Sequence, residues 1–240
     1  MRYLVNLSYD GSNYYGWSKQ KHEKTIQDHL EKVLSKIFKE KIIIHCSGRT
    51  DKGVHALNQY FHFDSEMMFD PKKLVSILNR FINEDIYIKK IKLVNEKFHS
   101  RYSIQNKTYL YIINIAKKDP FMSSKELNYN KEINLIKLQE ILNTFLGEHD
   151  FLSFSTSILK NTNRKINWIK VFKSNNKIKI KINGNGFLRY MVRMIVGYSL
   201  IVIEEKKDID SIKKLLANPS KGSAIHKAYP SGLYLYNVYY

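Results

Sequence analysis

The spacing of hydrophobic residues changes period in a regular order along the chain. Residues 1–9 (MRYLVNLSY) alternate apolar and polar and predict a strand, closed by the turn-rich run DGSNYYGW. Thr25 is placed to cap a helix over 26–38, in which Ile26, Leu30, Val33, Leu34, Ile37 and Phe38 return to one face. Strands are predicted at 42–46 and 57–63, on either side of the polar loop SGRTDKGVHA. Asp70-Pro71 opens a helix ending near residue 82, with Pro at its first position, and 86–94 reads as a strand. The second half follows the same order. A strand is predicted at 107–115, a helix at 135–146, strands at 166–172 and 177–182, and a long helix from Phe187. A short helix at 209–216 precedes the aromatic, alternating strand GLYLYNVYY.

Each half therefore reads β-α-β-β-α-β. That pattern predicts an α+β fold of two similar βαββαβ halves, RRM- or ferredoxin-like, with mostly antiparallel sheets joined around a central cleft. The expected division is 1–105, an N-terminal half holding the polar loop, and 106–240, a C-terminal half with the arginine-bearing helix and a basic stretch.

Charge adds a partner class to this picture. The 240 residues carry 40 Lys and Arg against 22 Asp and Glu, a net charge of +18, with 33 Lys and only seven Arg. Residues 151–203 hold ten Lys or Arg and no acid at all. A field of one sign on this scale favours a polyanion such as nucleic acid, the plain alternative being a solvated lysine-rich surface. Hydrophobic residues at 43% with only ten Gly and four Pro exclude collagen-like and disordered chains. One cysteine excludes a disulfide framework, and with no signal peptide at the start it leads to the expectation of a cytoplasmic protein. The longest apolar run, 194–203, is half the roughly 20 residues a membrane span needs, so no membrane partner is expected.

Two stretches carry candidate chemistry. The helix FLRYMVRMIVGYSLIVIE is apolar nearly all round, yet it places Arg189 and Arg193 one turn apart with Gly197 a turn further on. A buried guanidinium requires a partner, so an acid from elsewhere should meet it, or the row lines a phosphate-holding cleft; a purely structural ion pair is the other reading. In the loop, Asp51 lies between Arg49 and Lys52, which would keep it ionised and suited to a nucleophilic or electrostatic role, unless the loop is an ordinary hairpin turn. Lys177, Lys179 and Lys181 alternate with isoleucines and read equally as an RNA track or a guarded sheet edge. The histidines lack metal-site pairing and no complete dinucleotide or Walker A motif is present, so neither a metal nor a nucleotide cofactor is expected.

GRTDKGVHA at 48–56 resembles the signature of the TruA family of tRNA pseudouridine synthases, and the likeness continues in order through YDGSNYYGW, FHSRYS, KTYLYII, GEHDFLSF, GNGFLRYMVRMIVG and GLYL. The resemblance implies the pseudouridine synthase fold and isomerisation of uridine to pseudouridine in the anticodon stem-loop of tRNA, at positions 38, 39 or 40, without metal or cofactor. It implies Asp51 as the catalytic aspartate, Tyr109 as the active-site tyrosine, Arg193 as the aspartate's partner and Arg49 as the residue that helps expel the uridine from its stack. Lys52, Arg101, Arg164 and Arg189 are implied only as RNA contacts, and the family pattern is a homodimer. The sequence departs from that pattern at Lys52, at Lys165 and at Tyr229, where smaller or different residues are usual.

Overall fold

The computed structural model describes residues 1–157 and 160–240. In chain order its strands and helices are β1 (Arg2–Tyr9), α1 (Ile26–Phe38), β2 (His45–Cys46), β3 (His55–Asp64), α2 (Pro71–Phe81), β4 (Ile86–Val94), β5 (Asn106–Asn114), β6 (Leu127–Asn128), α3 (Leu135–Asn143), β7 (Gly147–Asp150), β8 (Asn163–Ser174), β9 (Lys177–Gly184), α4 (Met191–Ile203), α5 (Ile209–Ala217) and β10 (Leu233–Tyr239). The α+β class and the mostly antiparallel pairing are those read from the sequence. Two compact units result, one of Met1–Gln105 with Tyr234–Tyr240 and one of Asn106–Leu233.

In the first unit β1 lies between β4 and β3, antiparallel to both. The far edge of β3 is shared: β2 pairs with its later residues, His45 opposite His62, and β10 runs parallel to its start, Tyr234 opposite His55. Parallel pairing of the last strand with β3 is why residues 234–240 join the first unit, where the sequence reading had kept them with residue 106 onward. Alternation places Tyr3, Val5 and Leu7 on one face of β1, all fully buried, against Phe61 and Phe63 of β3 and Leu30, Leu34 and Phe38 of α1. Tyr3 stacks on Phe63 at 5.0 Å, and Phe38 meets Phe63 edge-on at 5.2 Å. Only two of the five residues expected as a strand at 42–46 form one. The amides of Ile42 and Ile44 donate instead to Ser35 Oγ and Glu31 Oε1 of α1, so that stretch is tied to a helix and not to a ladder.

The second unit has the strand order β5-β9-β8-β7, all antiparallel, with β6 alongside β5. Ile178, Ile180 and Ile182 of β9 are fully buried together with Tyr111 and Ile113 of β5 and Leu138 and Leu142 of α3. Because β9 is paired along both edges, the guarded-edge reading of Lys177, Lys179 and Lys181 fails. The lysines stand on the face opposite the buried isoleucines, with Lys170 opposite Lys181 and Phe172 opposite Lys179. Lys177 reaches the buried Glu126 at 2.6 Å. The long helix begins four residues later than expected, because Tyr190 adopts a left-handed conformation (φ 65°) that turns 187–190 out of the helical path.

On β3, His62 is 1% exposed and accepts the Ser100 amide at Nδ1. Burial, then the nearby Arg2, His99 and His45, lower its pKa from 6.5 to about 4, against the smaller opposing pull of Asp64. Unfolded, this imidazole takes up a proton below about pH 6.5. The folded one resists until about pH 4, so the unfolded state binds more protons in between and stability falls as the pH is lowered through that window. The loss expected at pH 5 is about 2 kcal/mol relative to neutral pH. Urea unfolding at neutral pH and at pH 5 should show it, and His62→Gln should remove that share of the pH dependence; an unchanged slope in the variant would refute the assignment.

Candidate functional site

The 47–54 loop is shaped by the segment that follows β1. Its entry is held by Gln59, whose side chain accepts from Ser47 Oγ and donates to the Gly48 carbonyl at 2.7 Å. Its middle is held by Thr50, whose hydroxyl lies 2.7 Å from Tyr9 Oη and whose carbonyl accepts from the Trp17 amide at 3.0 Å. At its exit Gly53, at φ 74°, donates to the Tyr14 carbonyl, and the Val54 amide closes back on the Asp51 carbonyl at 3.1 Å. Two glycines make this seating possible. A β-carbon on Gly11 would lie 2.0 Å from the Val54 carbonyl oxygen, and one on Gly16, which sits at φ 92°, would lie 2.6 Å from that of Thr50. His55 completes the brace: its Nδ1 accepts the Gly11 amide at 3.1 Å and lies 3.1 Å from Asp10 Oδ1, and its ring stacks on Tyr234 at 4.6 Å.

This frame presents Asp51, half-buried, at the loop tip, with Arg49 exposed beside it. Lys52 Nζ lies 3.6 Å above the ring of Tyr15, a cation–π contact. Arg101, also exposed, lies in the same unit on the segment after β4, which Arg2 anchors by donating to the Phe98 carbonyl at 2.7 Å.

The second unit holds the other predicted residues. Tyr109 on β5 is 8% exposed and meets Phe187 edge-on at 5.0 Å. Arg193 is likewise 8% exposed, and its Nε donates to the Ala228 carbonyl at 2.8 Å while the Ala228 amide returns a bond to the Arg193 carbonyl. Gly197 permits this arrangement, since a β-carbon there would meet the His226 carbonyl oxygen at 2.6 Å. Arg189 and Arg193 are brought together around Tyr190, 4.9 and 5.3 Å from its ring centre, with Lys227 as a third cation at 4.1 Å. Tyr190, in a strained left-handed conformation, and Lys227 were not singled out from the sequence, and neither carries a local signal that would have found it. Arg164 packs over Gly186 and donates to the Asn163 carbonyl; burial lowers its pKa. The departures at 165 and 229 are accommodated because those residues act through their backbones. The Lys165 carbonyl accepts the Asn185 amide, and the Tyr229 carbonyl accepts the Tyr111 hydroxyl at 2.7 Å while its own side chain is 70% exposed. Among the described residues no group of three His, Cys, Asp or Glu side chains is arranged to hold a metal ion.

Residues 7–103 and 141–240 match the family described as tRNA pseudouridine synthase. The chain belongs to the tRNA pseudouridine synthase family. Proteins named tRNA pseudouridine synthase A from Malacoplasma penetrans and Ureaplasma urealyticum are 48% and 45% identical to it, each alignment covering 100% of both chains. The protein of that name from Staphylococcus carnosus is 35% identical over 100% of this chain and 91% of its own. Among solved structures, a chain of the archaeal box H/ACA sRNP Nop10-Cbf5 complex is 9% identical, with a TM-score of 0.40 over 84% of this chain and 43% of that one. The tRNA pseudouridine synthase match includes the Asp51 loop and α4, while Tyr109 falls between its two segments.

The two close glycine contacts generate a prediction that does not touch Asp51. Gly11→Ala and Gly16→Ala should each displace the loop and lower the unfolding free energy by roughly 2 kcal/mol or more. Chemical denaturation checks this, and loss of protection at the Val54 and Trp17 amides in hydrogen exchange would locate the effect in the loop.

Proposed function

We propose that this member of the tRNA pseudouridine synthase family isomerises uridine to pseudouridine in the anticodon stem-loop of tRNA, at positions 38, 39 or 40, with Asp51 as the nucleophile. The observation that carries the reading is the Asp51 loop itself, a carboxylate presented at the tip of a turn whose backbone is pinned at entry, middle and exit. The chemistry balances without a co-reactant. An Asp51 carboxylate oxygen bonds to C1′ as the N1–C1′ bond breaks, the freed base turns, C5 bonds to C1′ as the Asp51–C1′ bond breaks and returns the carboxylate, and the C5 proton is lost as N1 gains one. The product is an isomer of the substrate.

The target atoms lie inside a stacked stem, so the nucleotide has to leave the stack before Asp51 can reach it. Arg49, two residues from the nucleophile and exposed, is suited to fill the vacated space or hold a phosphate. Tyr109 offers a ring against which a base can lie and a phenol for the proton at C5. Arg193, desolvated on α4, is proposed to pair with Asp51 and keep it charged as water leaves. Lys52, Arg101, Arg164 and Arg189 are proposed as RNA contacts. A homodimer working in the cytoplasm, with both subunits touching one tRNA, completes the proposal.

The experiment uses undermodified tRNA tritiated at uridine C5. The protein should release label, and Asp51→Asn should lose release by several orders of magnitude while still binding tRNA. Release by Asp51→Asn at the wild-type rate would remove Asp51 from the nucleophile's role. Arg193→Lys, which keeps the charge but not the planar fork, should reduce the rate more than it weakens binding.

A further inference from the structure

Tyr102 is 78% exposed, yet it is fixed from several sides. Its backbone amide and that of Arg101 both point at Nδ1 of His99, at 3.4 and 3.1 Å. Its ring lies against the His99 imidazole with centroids 4.3 Å apart. His99 in turn packs edge-on to His62 at 4.6 Å and lies 5.6 Å from His45, which itself stacks on His62 at 5.0 Å. Ser100, between His99 and Arg101, gives its amide to His62 Nδ1 at 3.2 Å. A nitrogen that accepts two N–H groups is unprotonated, so His99 holds this turn as a neutral ring with its proton on Nε2.

His99, backed by His62 and His45, thus supports an aromatic ring whose residue stays 78% exposed. A planar ligand laid on an aromatic ring already ordered in this way loses little further conformational freedom in binding. The neighbouring Arg101 guanidinium, 6.0 Å from the Tyr102 ring centre and itself exposed, repels a cationic ligand and suits one that carries an anion beside its flat group. A nucleotide has both parts. We propose that Tyr102 is a stacking platform for one unpaired nucleobase of the RNA, with Arg101 on an adjacent phosphate and His99 as the positioning residue. This rests on the reading that the substrate is RNA, and it adds a contact to that reading outside the Asp51 loop and α4.

The test is binding of undermodified tRNA by fluorescence anisotropy over a range of KCl concentrations, with thermal melts to confirm that each variant folds. Tyr102→Ala should weaken binding by about 5- to 150-fold with the salt slope unchanged. Tyr102→Phe should bind like the wild type, and the added indole of Tyr102→Trp should be quenched by RNA. Arg101→Gln should lower the slope of log K against log salt by about 0.7–0.9, the loss of one phosphate contact. His99→Ala should weaken binding with Tyr102 still present, and His99→Asn, which keeps an acceptor for the two amides, should restore part of it. In the tritium assay Tyr102→Ala should raise KM and leave kcat unchanged. Binding by Tyr102→Ala within about twofold of wild type, or no quenching in Tyr102→Trp, overturns the proposal. Absence of tritium release from the wild-type protein would instead sink the isomerase reading, and the binding comparison would still decide the platform.

Discussion

Two carbonyl oxygens, those of Thr50 and Val54, occupy space that β-carbons at residues 16 and 11 would fill. The candidate nucleophile's placement depends on that close approach. It lets the chain after β1 run directly against the 47–54 loop, so that Tyr9, Tyr14 and Trp17 each contribute a hydrogen bond to it. A loop held by its own side chains alone would sample many conformations, whereas one whose backbone is bonded at Ser47, Gly48, Thr50 and Gly53 presents Asp51 in one. The turn-rich run after β1 thus becomes part of the site, although none of its residues was a candidate for chemistry.

The second unit solves a comparable problem with a helix. Residues 191–200 of α4 are all buried, which fixes the helix firmly, but a guanidinium within that run has to be compensated. Gly197 brings the 226–228 segment close enough for the Ala228 carbonyl to accept from Arg193 Nε and for the Ala228 amide to bond back. The exchange of two bonds between one residue pair sets the height and rotation of the guanidinium. Its placement is therefore a property of the helix backbone and of a glycine one turn away, and not of the arginine alone.

Much of this was legible in the residues. Period-two and helical spacings located β1, α1, α2, β4 and β9 closely, because each has one face in a core and one in solvent. The 42–46 strand shrank because periodicity reports which residues are buried and not where their amides are bonded, and here they are bonded to side chains of the preceding helix, Glu31 and Ser35. The start of α4 was misplaced because Tyr190 takes a conformation that side chains rarely adopt, held by the fold around it. The four-residue strand β7 (GEHD) was missed because it has no alternation of apolar residues. Asp51 and Arg193 stood out as the wrong residue types for their surroundings. His55, Gln59 and Gly11 did not, since bracing a loop is a pairwise property that composition does not reveal.

The excess of positive charge divides by how its cations are held. The acids of α1 are met by cations, with Lys32 of the helix 2.7 Å from Asp28 and Lys19, ahead of the helix, bridging Asp28 and Glu31. In the acid-free stretch Lys177 reaches Glu126, but several other cations are ordered by rings: Lys170 over Trp168, Lys181 over Phe172, and Arg189 and Arg193 around Tyr190, where Lys227 from a later segment joins them. The distinction matters electrostatically. A carboxylate partner cancels the charge it fixes, whereas an aromatic face orients a cation and leaves its field intact. Lys52 on Tyr15 follows the same rule next to the candidate nucleophile. Ring contacts fix where these cations stand, and cations in fixed positions can hold a polyanion in a defined register.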